Sequence, residues 1–112
     1  MLGFIVLFLV SGLLFVGLSI PMIQRKVKPN PWYGFRTPKT LSNEKIWYAA
    51  NEYCGRLLFL VGGLIALASV ILVPLGWLPF IGKDGYALAC SAVLLGGLVW
   101  AVVRSFRYLN KL

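Results

Sequence analysis

The chain has no histidine, and its acidic residues number three: Glu44, Glu52 and Asp84. Most acid–base, nucleophilic and metal-dependent mechanisms draw on histidine or on clustered carboxylates. The chain therefore reads as a non-enzyme, with no catalytic residues, no metal site and no cofactor. Cysteine is scarce as well. Cys54 and Cys90 fall near opposite ends of two different apolar runs, too far apart to bridge. Both read as apolar filler, and Cys54 also occupies a juxtamembrane position of the kind that is palmitoylated. Charged residues make up only 12% of the chain, where a soluble domain carries about a quarter, and this excludes an ordinary water-soluble fold.

What is present is apolar. Hydrophobic residues account for 60% of the 112, enough length for one small unit, read as a single membrane domain over 1–112. Leu2 to Ile20 is an uncharged run of 19 residues ending at Pro21. At about 1.5 Å per residue it crosses roughly 28 Å of hydrocarbon, which predicts a first span over about 2–22. No basic residue precedes the run and no A-x-A-like site follows it, so it reads as a span and not as a cleaved signal. A second span is expected over about 57–78, bending near Pro74, and a third over about 86–103, with a turn at Gly82–Gly85 making the two a tight antiparallel hairpin. The fold class is all-α, with three transmembrane helices.

Orientation follows from the basic residues. Seven Lys and Arg lie in the connecting segment 24–56, one in the turn and three in the tail 104–112; with the acids counted, the segments carry +5, 0 and +3, the stated total of +8. The positive-inside rule places the first loop and the C-terminus in the cytoplasm and the N-terminus outside, in the cell membrane. The same charge favours anionic lipid at the cytoplasmic face over nucleic acid. Trp77 and Tyr86 outside, with Trp47, Tyr48, Trp100 and Tyr108 inside, fit interfacial aromatic belts. Small residues four apart, at Gly62 and Ala66, Ala92 and Gly96, and Gly97 and Ala101, allow close packing of the second and third helices, and equally a homo-oligomer. No ionisable residue lies mid-span, which argues against an ion pathway.

The first loop is not a linker. Pro29, Pro31 and Pro38 restrict the backbone, and Gly34 permits a turn that a side chain opposes, so a folded cap on the helix ends is expected. Ser42 is the expected N-cap of an interfacial helix that starts near Asn43, with Glu44 in its first turn and Leu41 and Ile46 forming a hydrophobic staple. Its apolar stripe runs through Trp47, Ala50, Tyr53 and Leu57 to a bend into the second span. Arg36 is placed to stack among aromatics or to pair with Glu44 or Glu52, as a structural clamp or as a contact for a partner.

The run Pro29-Asn30-Pro31-Trp32-Tyr33-Gly34-Phe35-Arg36-Thr37-Pro38-Lys39-Thr40-Leu41-Ser42-Asn43-Glu44-Lys45-Ile46-Trp47, with Ala50 and Asn51 beyond it, resembles the signature of the SdpI family. The family's motif falls on Asn30, Gly34, Phe35, Arg36, Thr37, Pro38, Thr40, Leu41, Glu44 and Trp47, and Asn51 stands where many members carry Asn or His. The resemblance covers about residues 29–56 and elsewhere fades to hydropathy. It implies immunity to a secreted, membrane-active peptide toxin, the relay of toxin presence by sequestering a transcriptional repressor at the membrane, or both. Two functions are therefore weighed. One is an immunity protein that binds the peptide toxin without chemistry; the alternative is a signalling scaffold whose basic loop, with Arg104, Arg107 and Lys111, holds a cytoplasmic regulator.

Overall fold

The structure is a computed structural model that describes residues 1–112. Four helices follow one another: α1 over Leu2–Ile23, a single turn α2 over Pro38–Leu41, α3 over Glu44–Ile71 and α4 over Gly82–Asn110. There are no strands, and α1, α3 and α4 are each long and apolar enough to cross a membrane. The molecule is an all-α, three-span membrane protein, 54 Å along its long axis and about 20 Å across.

α3 is the middle helix. It packs along α1 on one side and α4 on the other, while α1 meets α4 only near the α3–α4 connection, where Phe8 packs edge-on against Tyr86, so the spans form a row over most of their length. The α1–α3 contact is backbone against backbone. A Cβ on Gly12 would stand 2.6 Å from the Gly62 carbonyl and the Ala66 amide, and one on Gly62 would stand 2.7 Å from the Gly12 carbonyl. Nearer the loop, Gly55 leaves room for Met22 and Ile23 in the same way. The Gly62 and Ala66 pair thus joins α3 to α1, not to α4 as expected from spacing. Gly97 of α4 does face α3, against Val61, whereas Gly63 and Gly96 look into open space.

Several expected boundaries move. The helix capped by Asn43 runs unbroken from Glu44 into the second span, because no proline between Glu44 and Ile71 removes a backbone donor. That span ends at Ile71, and Pro74 opens a 3-10 turn over Val73–Trp77 in place of a bend continuing to residue 78. The connection to α4 is residues 72–81, and Gly82 to Gly85 form the first turn of α4, not the loop. The supposed tail is helical to Asn110.

Two aromatics placed in interfacial belts are core residues instead. Tyr86 is wholly buried beside Phe8, Ile65 and Cys90, and its hydroxyl donates to the Ser69 carbonyl at 2.6 Å. Trp47 is wholly buried under the loop. In both, a polar group on a large ring reaches a backbone carbonyl, which removes the need to face water. Trp77 and Phe80, by contrast, are exposed at the hairpin end.

α1 stops by a Schellman arrangement in which Lys26 N–H donates to the Pro21 carbonyl and Arg25 N–H to that of Met22. Arg25 takes the left-handed conformation there, φ 58°, a place that usually falls to glycine. Its side chain accounts for the choice: it reaches Glu52 of α3 with Nη2 at 2.9 Å and Nε at 3.2 Å, and Arg56 pairs with the other carboxylate oxygen at 3.2 Å.

Candidate functional site

Residues 26–47 fold over the basic ends of α1, α3 and α4. Asn30 makes the first corner. Its Oδ1 accepts from the amides of Trp32 and Tyr33 at 2.8 and 2.7 Å, and its Nδ2 donates to the carbonyls of Lys28 and Tyr33 at 2.7 and 3.1 Å. An Asx turn flanked by Pro29 and Pro31 leaves this stretch little freedom. Tyr33 then ties the corner to α1 by donating its hydroxyl to the Leu18 carbonyl.

The second corner is Gly34. Its φ is +111°, and an added Cβ would lie 2.6 Å from Asn51 Oδ1 and 3.3 Å from the Trp47 ring, so both conformation and space exclude a side chain. The next residue, Phe35, is held at its backbone by α3. Asn51 Oδ1 accepts from Phe35 N–H at 2.6 Å, while Asn51 Nδ2 donates to the carbonyls of Phe35 at 3.2 Å and Trp47 at 2.9 Å. One buried amide thus replaces the backbone partners that an irregular segment lacks. Beside it, Trp47 Nε1 donates to the Val27 carbonyl at 2.8 Å.

α2 is capped from within. Thr37 Oγ1 accepts from Thr40 N–H at 3.1 Å, and Thr37 N–H donates to Thr40 Oγ1 at 2.7 Å, a reciprocal box with Pro38 in the first turn. Thr40 is fully buried. The cap also grips α4: the Phe35 ring meets Phe106 edge-on, centroids 5.2 Å apart, and Lys39 Nζ donates to the Leu109 carbonyl at 2.8 Å. A cation on the last carbonyls of a helix is favoured by its dipole.

Of the motif residues, Asn30, Gly34, Phe35, Thr37, Pro38, Thr40, Trp47 and Asn51 come together as the framework of this cap. The Arg36 guanidinium reaches the Pro31 carbonyl and pairs with neither Glu44 nor Glu52, since Glu52 is taken by Arg25 and Arg56. Arg36, Leu41 and Glu44 are exposed. The N-cap of α3 is Asn43, whose Oδ1 accepts from Lys45 N–H at 2.8 Å. Ser42 instead closes α2, donating to the Lys39 carbonyl. The extra turn of helix uses up Ser42 and shifts the start by one residue. Residue type does not separate the two positions, because Asn and Ser are about equal as N-caps.

A family model described as the SdpI/YfhL protein family matches residues 26–105, from the start of this cap to the last turns of α4. The chain belongs to that family. The match extends well beyond the loop, taking in both α3 and most of α4, so this SdpI/YfhL protein carries the family pattern over the cap and the two helices that follow it. No curated protein and no solved structure matches the chain.

Proposed function

We propose that this SdpI/YfhL protein gives immunity or resistance to a membrane-active peptide toxin, by binding the peptide in the bilayer and without catalysis. Ten of the eleven basic residues, seven in 24–56 and three after Val103, gather at the cap end. That end faces the cytoplasm, with the N-terminus and the α3–α4 connection outside. The observation that carries the reading is the row arrangement itself. Gly62 and Gly97 are consumed inside it, but Gly63 on α3 and Gly96 on α4 have open space where a Cβ would stand. An amphipathic peptide helix approaches closest where the helix it meets lacks a side chain. The cap fixes the spacing of the row from one end.

A second reading, a signalling scaffold for a cytoplasmic regulator, draws on Trp32, 87% exposed at the first corner, and on the exposed Arg36. Photo-crosslinkers at positions 63, 96, 32 and 45, in cells exposed to the labelled toxin of the family's founding type, separate the two. Immunity by binding gives peptide adducts at 63 or 96. Adducts to a recurrent soluble protein at 32 or 45, with no peptide at 63 or 96, favour the scaffold and contradict the first reading.

A further inference from the structure

We infer that the cavity between the C-terminal turns of α4 and the first turns of α3 is a phosphate site, taking the headgroup phosphate of an anionic lipid. It is lined by Tyr53, Arg104, Arg107, Tyr108 and Lys111 and encloses about 210 Å³. That is below the roughly 300–1,000 Å³ of pockets for drug-sized ligands and suits one small anionic group.

Three features go beyond a merely basic surface. Arg104, Arg107 and Lys111 recur at intervals of three and four, so they share one face of α4 with Tyr108. None of the three forms an ion pair: of the chain's few carboxylates, Glu52 is engaged by Arg25 and Arg56, and neither Glu44 nor Asp84 lies within pairing distance of any cation. An aromatic stack joins the two helices at the cavity. Tyr53 and Tyr108 stack with centroids 4.2 Å apart and planes 11° from parallel. Arg104 is oriented twice, by its Nε donating to the Tyr53 hydroxyl at 3.3 Å and by its guanidinium lying 5.8 Å from the centre of the Trp100 ring. With Nε used in this way, the terminal nitrogens of Arg104 are free to donate as a fork to phosphate oxygens.

The C-terminal end of a helix carries about half a negative charge, which opposes an anion. The site escapes this because it lies on the side of the helix, and because Lys39 already covers the Leu109 carbonyl. The source of the phosphate follows from depth. Arg104 comes directly after the apolar run that ends at Val103, so the cavity opens at headgroup level, where a lipid phosphate is always at hand.

The test is native mass spectrometry of the full chain purified in a neutral maltoside detergent, with short-chain phosphatidylglycerol, phosphatidylcholine or inorganic phosphate added. Wild type is compared with R104Q/R107Q/K111Q and with K26Q/K28Q/K45Q, which removes the same charge from the cap; the single variant Lys111→Gln leaves the fold untouched. One phosphatidylglycerol per chain is expected, and no phosphatidylcholine. The cavity triple variant binds it about tenfold more weakly, Lys111→Gln less severely, and the cap variant within about threefold of wild type. Failure of millimolar inorganic phosphate to displace the lipid assigns the site to lipid; displacement assigns the same cavity to phosphate from solution and overturns the lipid source. Equal losses in the two triple variants, or phosphatidylcholine binding as well as phosphatidylglycerol, overturns the site.

Discussion

The side-chain amide of Asn51, in the middle helix, holds both backbone groups of Phe35 in the loop, accepting from its N–H at 2.6 Å and donating to its carbonyl at 3.2 Å. The loop is thereby fastened to the span below it. Replacing Asn51 by Ala leaves the Phe35 N–H and carbonyl without partners, while the Trp47 carbonyl keeps its place in the α3 ladder, and each unmet group costs about 1–3 kcal/mol. The expected destabilisation of the purified protein is about 3 kcal/mol, read by thermal unfolding in detergent. Asn51→Asp keeps one acceptor but loses both donors and buries a charge, so it unfolds at least as readily.

Gly34→Ala acts on the same contact from the other side. The new Cβ meets Asn51 Oδ1 at 2.6 Å, and the left-handed backbone adds about 1 kcal/mol. Cleavage of the segment 26–43 by added protease rises. Because both changes break one contact, the double variant with Asn51→Ala is expected to be clearly less destabilised than the sum of the singles. Additive losses mean that the two residues act separately.

The helix row gives a paired prediction. Gly12→Leu or Gly62→Leu drives a side chain into the facing backbone and costs about 3 kcal/mol or more, seen as a lower midpoint of unfolding. Gly63→Leu and Gly96→Leu enter open space and stay within about 1 kcal/mol of wild type. If all four behave alike, α1 does not lie against α3 at these glycines.

Arg25 combines an unfavourable backbone with a useful side chain. Arg25→Gly relieves the left-handed strain of about 1 kcal/mol and gives up an exposed ion pair worth at most about that, so stability changes by less than about 1 kcal/mol. The hydrogen bond from Arg25, with Arg56 adding, holds the Glu52 carboxyl below its ordinary value of 4.5. A carboxylate lowered in the folded state stabilises above its unfolded value and loses that contribution as pH falls through the lowered one. Unfolding midpoints are therefore flat across about pH 5–8 and fall only in stronger acid, with a smaller fall in Glu52→Gln.

The three spans and the motif loop were legible because hydropathy, proline and basic charge act locally along the chain. Partnering was not. The spacing of Gly62 and Ala66 marks a close approach but not whether α1 or α4 supplies the other backbone, a choice made by the row arrangement. Tyr86 and Trp47 have belt-like composition and position, yet the Ser69 and Val27 carbonyls that take them inside are 17 and 20 residues away. Arg36 was marked for an acidic partner, but Glu52 is reached first by Arg25, whose backbone conformation no composition signals. Within the loop, Thr37-Pro38 with Thr40 spelled a one-turn helix that the stronger-looking Ser42 cap obscured.

Immunity by binding is tested most directly by membrane depolarisation and survival of a sensitive bacterium challenged with the family's peptide toxin. Cells carry empty vector, wild type, Arg36→Ala or Gly96→Leu, with equal membrane abundance verified by blot. Wild type is expected to hold both potential and survival. Gly96→Leu, with the open face of α4 filled, is expected to lose most of that protection although it folds, and Arg36→Ala reports whether the exposed guanidinium of the cap takes part. A wild type that is abundant in the membrane and leaves depolarisation and killing at the level of empty vector contradicts the immunity reading.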